Sequence, residues 1–175
     1  MVVVILAVLV GYGLYWYAPW MRMTDTTVND ALTSGVAPDI GSARGGDRTR
    51  TVAPQPYRVL SGTFVSQQHR TSGTARVIRE PAYRGTPARI TLELADFDTS
   101  NGPDLRVWLS DQPVKADKSG WRVFDNGRRV ELGELKGNKG NQTYEVPVSA
   151  DLATVRSVTI WSGRFSVSYG AAALS

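Results

Sequence analysis

From Val59 to the C-terminus, large apolar and polar residues alternate, and this period of two rules out most architectures before composition is considered. Successive strand side chains point to opposite faces, whereas an amphipathic helix repeats every 3.6 residues. "ARITLELADF" sets Ile90, Leu92 and Leu94 on one face and Thr91 and Glu93 on the other. "DLRVWLS" does the same with Leu105, Val107 and Leu109 against Arg106 and Trp108. Turn residues punctuate the pattern every roughly eight to twelve positions, the mark of an all-β, antiparallel sandwich or barrel-like domain. Asn126-Gly127, between "WRVFD" and "RRVEL", predicts a tight hairpin with Asp125 opposite Arg128 and Arg122 opposite Glu131. In "VTIWSGRFSVSYGAAAL" the phase changes at Gly163-Arg164, which predicts a two-residue turn with Ser162 opposite Phe165, Ile160 opposite Val167 and Val158 opposite Tyr169. Parity then points Ser162 inward, where a buried hydroxyl needs a partner and a thiol would fit as a small apolar group. The only helical candidate is a turn near "SADLAT".

The N-terminus follows another pattern. Residues 1–20 carry no charge and end in Tyr15, Trp16, Tyr17 and Trp20, so they read as a single-pass transmembrane anchor with an interfacial aromatic belt. A cleaved signal peptide would show a basic start and small residues at its cleavage site, and neither is present. Residues 21–57 are poor in large apolar side chains and rich in Gly, Ser, Thr, Asp and Pro, the composition of a flexible linker. The β-domain occupies 58–175. Flanking charges barely specify orientation, since Arg22 has Asp25 and Asp30 nearby.

The net charge of +4 is scattered along the chain, with no basic run interleaved with aromatics, which argues against nucleic acid as a partner. The 175 residues include no cysteine, so disulfides and thiolate metal sites are excluded within this chain. Asp96, Asp98, Ser100, Asn101 and Asp104 invite a calcium reading, but the glycine falls one position late for an EF-hand and Val107 stands where its glutamate belongs. The segment reads instead as an Asp/Asn-rich loop entering Gly102-Pro103. His69 is the only histidine. It excludes bis-histidine haem ligation and reads as a structural or hydrogen-bonding residue. No nucleophile lies in an acid–base setting, so no catalytic residue, metal site or cofactor is expected. Trp108 and Trp161 fall on nominally outer faces, either as a binding platform or beneath a covering loop. With His69 and Asp104 they are the candidate binding residues.

From Gly62 onward the chain resembles the DM13 domain family. The resemblance rests on "GTF" (Gly62, Phe64), "HRTSGTARV" (His69, Gly73), "GPDL" (Gly102–Leu105) followed by "VWLS", "LGELKGNKGNQTYEVP" (Leu132, Gly133, Leu135, Lys136, Gly137, Gly140, Gln142, Tyr144), and "IWSGRFSVSYGAAAL" (Ile160, Trp161, Phe165, Val167, Gly170, Ala172, Leu174). It implies an extracytoplasmic β-domain, often membrane-tethered, with a proposed part in electron transfer through a cysteine after the "IW" pair. Here that position is Ser162, which cannot cycle through thiolate, sulfenate or disulfide states. The expectation is a cell-membrane protein whose domain lies outside the cytoplasm and binds an envelope protein or polymer. The alternative is an accessory electron-transfer domain working with a bound cofactor or a redox partner.

Overall fold

A computed structural model of the chain describes Ala7, Tyr12, residues 24–33 and residues 54–175. The anchor read at 1–20 lies outside them apart from Ala7 and Tyr12, and no helix among the described residues is long and apolar enough to cross a membrane. The strands are β1 (Thr27–Asn29), β2 (Tyr57–Ser66), β3 (Thr71–Glu80), β4 (Arg89–Thr99), β5 (Leu105–Ser110), β6 (Arg129–Glu134), β7 (Lys139–Glu145), β8 (Ser157–Ser162) and β9 (Val167–Ala173). They form one nine-stranded sheet in the order β1-β7-β4-β3-β2-β9-β8-β5-β6. Among the described strands only β1 and β7 run parallel. The all-β expectation is met by one continuous sheet, not by two packed layers. β2 joins its halves, pairing with β3 along Tyr57–Thr63 and with β9 along Phe64–Ser66.

The sheet has to curl. β7 and β6 stand second and last in the order, so about seven spacings of 4.8 Å would part them by roughly 34 Å if the sheet were flat. The chain between Glu134 and Lys139 reaches at most about 18 Å. A half-barrel satisfies both. Its concave side holds the core: Phe64, Leu92, Leu94, Phe97, Val107, Leu109, Val158, Ile160 and Tyr169 are among the buried residues, each large side chain contributing about 1.5–3 kcal/mol by leaving water. Phe64 and Phe97 meet edge to face, their centroids 5.2 Å apart.

Three local expectations need correction. "WRVFD" is not a strand: Lys118–Asn126 form a 3-10 helix, capped by Asp117, whose carboxylate accepts the Ser119 N–H at 2.8 Å. The expected strand is displaced because β5 pairs with β6 instead, and Phe124 is drawn into a second apolar cluster with Trp108, Trp161 and Ala171. Asp125 consequently faces Arg129, at 3.7 Å, and not Arg128. "SADLAT" forms turns and no helix. In the last hairpin Ser162 pairs with Val167, Ile160 with Gly170 and Val158 with Ala172, with a bulge between Ile160 and Trp161. The turn spans Gly163–Ser166, with Ser166 at φ 50° and Phe165 exposed. It is longer than two residues because the Gly163 N–H is drawn across to the Asp104 carbonyl, 2.9 Å away. A four-residue turn keeps the alternation of a two-residue one, and the bulge then shifts it by one residue, which brings Ala172 opposite Val158.

Part of the stretch read as linker is ordered against the sheet: Thr27, Val28 and Asn29 pair with Lys139, Gly140 and Asn141. Its continuation explains a second surprise. Glu93 belongs to the outer face by parity yet is buried, its Oε1 accepting the Thr33 N–H at 2.7 Å and its Oε2 the Arg76 guanidinium at 3.0 Å.

Candidate functional site

At one end of the curl the "GPD" loop, the last hairpin and the start of β3 converge. Ser162, at the end of β8, is fully buried; its hydroxyl donates to the Pro103 carbonyl at 3.1 Å and accepts the Phe165 N–H at 3.4 Å. A Cβ on Gly163 would overlap the Asp104 carboxylate, so any larger residue there would have to push that side chain aside. Asp104 adopts φ 50°, a left-handed conformation that Asp tolerates better than most residues. Its carboxylate accepts Arg106 Nε at 2.7 Å, and the other side of that guanidinium engages Glu131. These hydrogen bonds, that of Asp104 first, hold the Arg106 pKa well above its ordinary value.

Beside this, Gly102 lies under Tyr169, whose hydroxyl a Cβ would strike. The Tyr169 ring stacks on His69 with centroids 3.8 Å apart and planes 21° apart. The Tyr169 carbonyl accepts the N–H groups of Gln67 and His69 and the Thr71 hydroxyl, which fixes the approach of β3 to β9. A cleft of about 360 Å³ opens next to the loop, lined among others by Asn101, Gly102, Asp104, Glu134, Lys136 and Asn138. A buried relay forms part of its support: Gln142 donates to the Gly137 carbonyl, Tyr144 donates to Gln142, and the Lys136 N–H donates to the Tyr144 hydroxyl. Burial pushes the Tyr144 phenol up to about 12, so it stays a neutral donor.

The cleft mixes carboxylates, an ammonium and amide groups, a surface suited to polar, hydrogen-bonding ligands. It contains no nucleophile paired with a base. Ser162 is no exception, since its proton is committed to a backbone carbonyl and solvent cannot reach it. Among the described residues no group of three or more His, Asp or Glu side chains is placed to hold a metal ion.

Of the residues singled out in the sequence, Ser162 and Asp104 meet at the "GPD" loop, and His69 joins them through Tyr169. Trp108 and Trp161 lie apart, on the convex face. They stack with centroids 4.9 Å apart, both buried, with Phe124 of the 3-10 helix in the same cluster and Arg129 4.3 Å over the Trp108 ring. The covering segment is thus the helix that the hairpin signal concealed. Sequence reasoning passed over Arg106 and Glu131, which appeared only as strand-face residues, and Lys136 and Asn138, which appeared only within the "LGELKGNKGNQTYEVP" motif.

This end of the molecule defines a class: an all-β domain of one open, curled sheet whose glycine-bearing loops gather at a polar cleft. Its family follows from the match of residues 63–174 to the model described as "Electron transfer DM13". The chain belongs to the DM13 family. Neither the curated proteins nor the solved structures gave a match.

Proposed function

We propose that the protein is a membrane-anchored DM13 domain that works on the extracytoplasmic side of the cell membrane as a non-catalytic binding or accessory module. The observation that carries this reading is Ser162, at the position that the family resemblance assigns to a redox cysteine. The hydroxyl there is enclosed and hydrogen-bonded to Pro103, a structural role that needs no electron chemistry. Residues 1–20 supply the anchor, and the cleft beside Asp104 offers polar recognition of an envelope protein or polymer. Crosslinking in native membranes followed by affinity capture tests the reading. A protein or polymer should be enriched over a control carrying only residues 1–57, and equal yields from both would refute it. A reporter fused at Ser175 tests the side of the membrane, with activity expected only from a reporter that works outside the cytoplasm.

The family's description favours a second reading, an accessory electron-transfer domain serving a bound cofactor or a redox partner. That reading requires a chromophore or a metal in protein isolated from its native membrane. Visible absorbance with matching metal or cofactor content would replace the first proposal with this one.

A further inference from the structure

Residues 24–33 lie outside the family match at 63–174, yet they bond to residues within it. The parallel pairing of β1 with β7 is extended at both ends, by Lys139 N–H to the Thr26 carbonyl at 3.2 Å and by Asp30 N–H to the Asn141 carbonyl at 2.9 Å. Asn138 Oδ1 accepts the Thr26 N–H at 2.7 Å. Two acids frame the strand: Asp25 meets Lys139 at 2.6 Å, and Asp30 meets Lys136 at 2.5 Å while accepting the Thr143 N–H at 2.9 Å.

The receiving surface is shaped for such a strand. A Cβ on Gly137 would overlap the Thr26 carbonyl, and one on Gly140 the Val28 carbonyl. Gly140, at φ +96°, needs glycine for its backbone as well. Gly137 is not among the residues with positive φ, so only the approach of the neighbouring strand accounts for glycine there. "LKGNKGN" is therefore a strand receptor, with glycines opening the groove and lysines at its ends.

We propose that Lys136–Thr143 form a docking site for an extended acidic peptide, which adds to β7 as a parallel strand. Residues 24–33 occupy it in cis; a partner protein's extended segment, with carboxylates at both ends of a β-branched run, occupies it when they are displaced. Main-chain hydrogen bonds supply affinity in such strand addition, and the flanking charges and side-chain pockets supply selectivity. This deepens the binding-module reading by giving the partner a chemistry, and its test does not depend on the membrane capture experiment.

The probe is a fluorescein-labelled peptide with the sequence of residues 24–33, TDTTVNDALT, titrated into the full chain and followed by anisotropy. In the wild-type chain the tethered strand competes, and uptake is weak. Asp25→Lys with Asp30→Lys sets like charges against Lys139 and Lys136 and expels the tethered strand. This variant should bind the peptide at least about tenfold more tightly, because intramolecular competition is lost. Adding Gly137→Val should abolish uptake while near-UV circular dichroism stays unchanged, and a peptide with lysine at both acid positions should not bind. Hydrogen exchange of the Thr27–Asn29 amides reports separately whether the tethered strand is released. A released strand with no peptide uptake overturns the proposal, as does undiminished uptake in the presence of Gly137→Val.

Discussion

Replacing Ser162 with alanine removes one hydroxyl from a site closed to solvent. The hydroxyl joins β8 to the "GPD" loop through Pro103 and steadies the turn through the Phe165 N–H. A hydrogen bond of this kind contributes about 0.5–1.5 kcal/mol net, and a polar group left without a partner adds about 1–3 kcal/mol when fully buried. Pro103 is only partly buried, so water can reach its carbonyl once the loop loosens, which keeps the sum near the lower end. Ser162→Ala should therefore lower stability by about 1–2 kcal/mol, or about 4–8 °C in Tm for a domain of this size. Ser162→Cys should be milder, under about 1 kcal/mol, since sulfur fills the space and its S–H remains a weak donor. Urea unfolding of the full chain, followed by near-UV circular dichroism, measures both. An alanine variant within about 0.3 kcal/mol of the parent would refute the claim that this hydroxyl holds the loop. A cysteine variant less stable than alanine would refute the idea that the site accommodates a thiol.

The convex-face cluster offers a second test: Phe124→Ala should cost about 3–5 kcal/mol, as for other fully buried aromatics, and should raise acrylamide quenching of tryptophan fluorescence; unchanged quenching would mean that the helix does not cover Trp108 and Trp161. Acid should release β1. Hydrogen bonds from Lys139 and Asn138 hold Asp25 below the usual carboxylate range, and those from Lys136 and Thr143 do the same for Asp30, while Asp98 also faces Lys139. A depressed carboxylate stabilises the docked strand fully above its undocked pKa and loses that contribution as pH falls through the docked value. Protection of the Thr27–Asn29 amides, corrected for intrinsic exchange, should thus hold from neutral pH down to the ordinary carboxylate range and fall below it; protection unchanged through that range would show that the acids do not hold the strand.

The concave core was legible because alternation survives tertiary context when one face is buried. Ile90, Leu92, Leu94, Leu105, Val107 and Leu109 all lie in it. The inward position of Ser162 was legible by the same parity, although the register that suggested it was not the one formed. What failed was local turn chemistry. Asn126-Gly127 specifies a tight hairpin only if both flanks pair, and Phe124 gains more beneath Trp108 and Trp161 than at a sheet edge. β1 had no signal of its own, since three residues among polar neighbours show no period. Its trace lay far away, in Gly137 and Lys139, whose side chains have meaning only once the strand is beside them. The cleft was half visible: Gly102 and Asp104 stood out as a motif, but the pairing of Arg106 with Glu131 depends on a β5–β6 register that the expected hairpin would have precluded.

The seated strand also sets the length of a leash. Between residue 20 and Thr24, where the described segment begins, the chain extends at most about 14 Å. With residues 24–33 released, Thr33 from Glu93 included, the next strand among the described residues is β2 at Tyr57, and the same limit becomes about 130 Å. Anything that held the first twenty residues would therefore keep the cleft close by while the strand is docked, and the limit on its radius would be about nine times longer once the strand leaves. A competitor for the β7 edge would thus change the region the domain can search as well as the surface it presents.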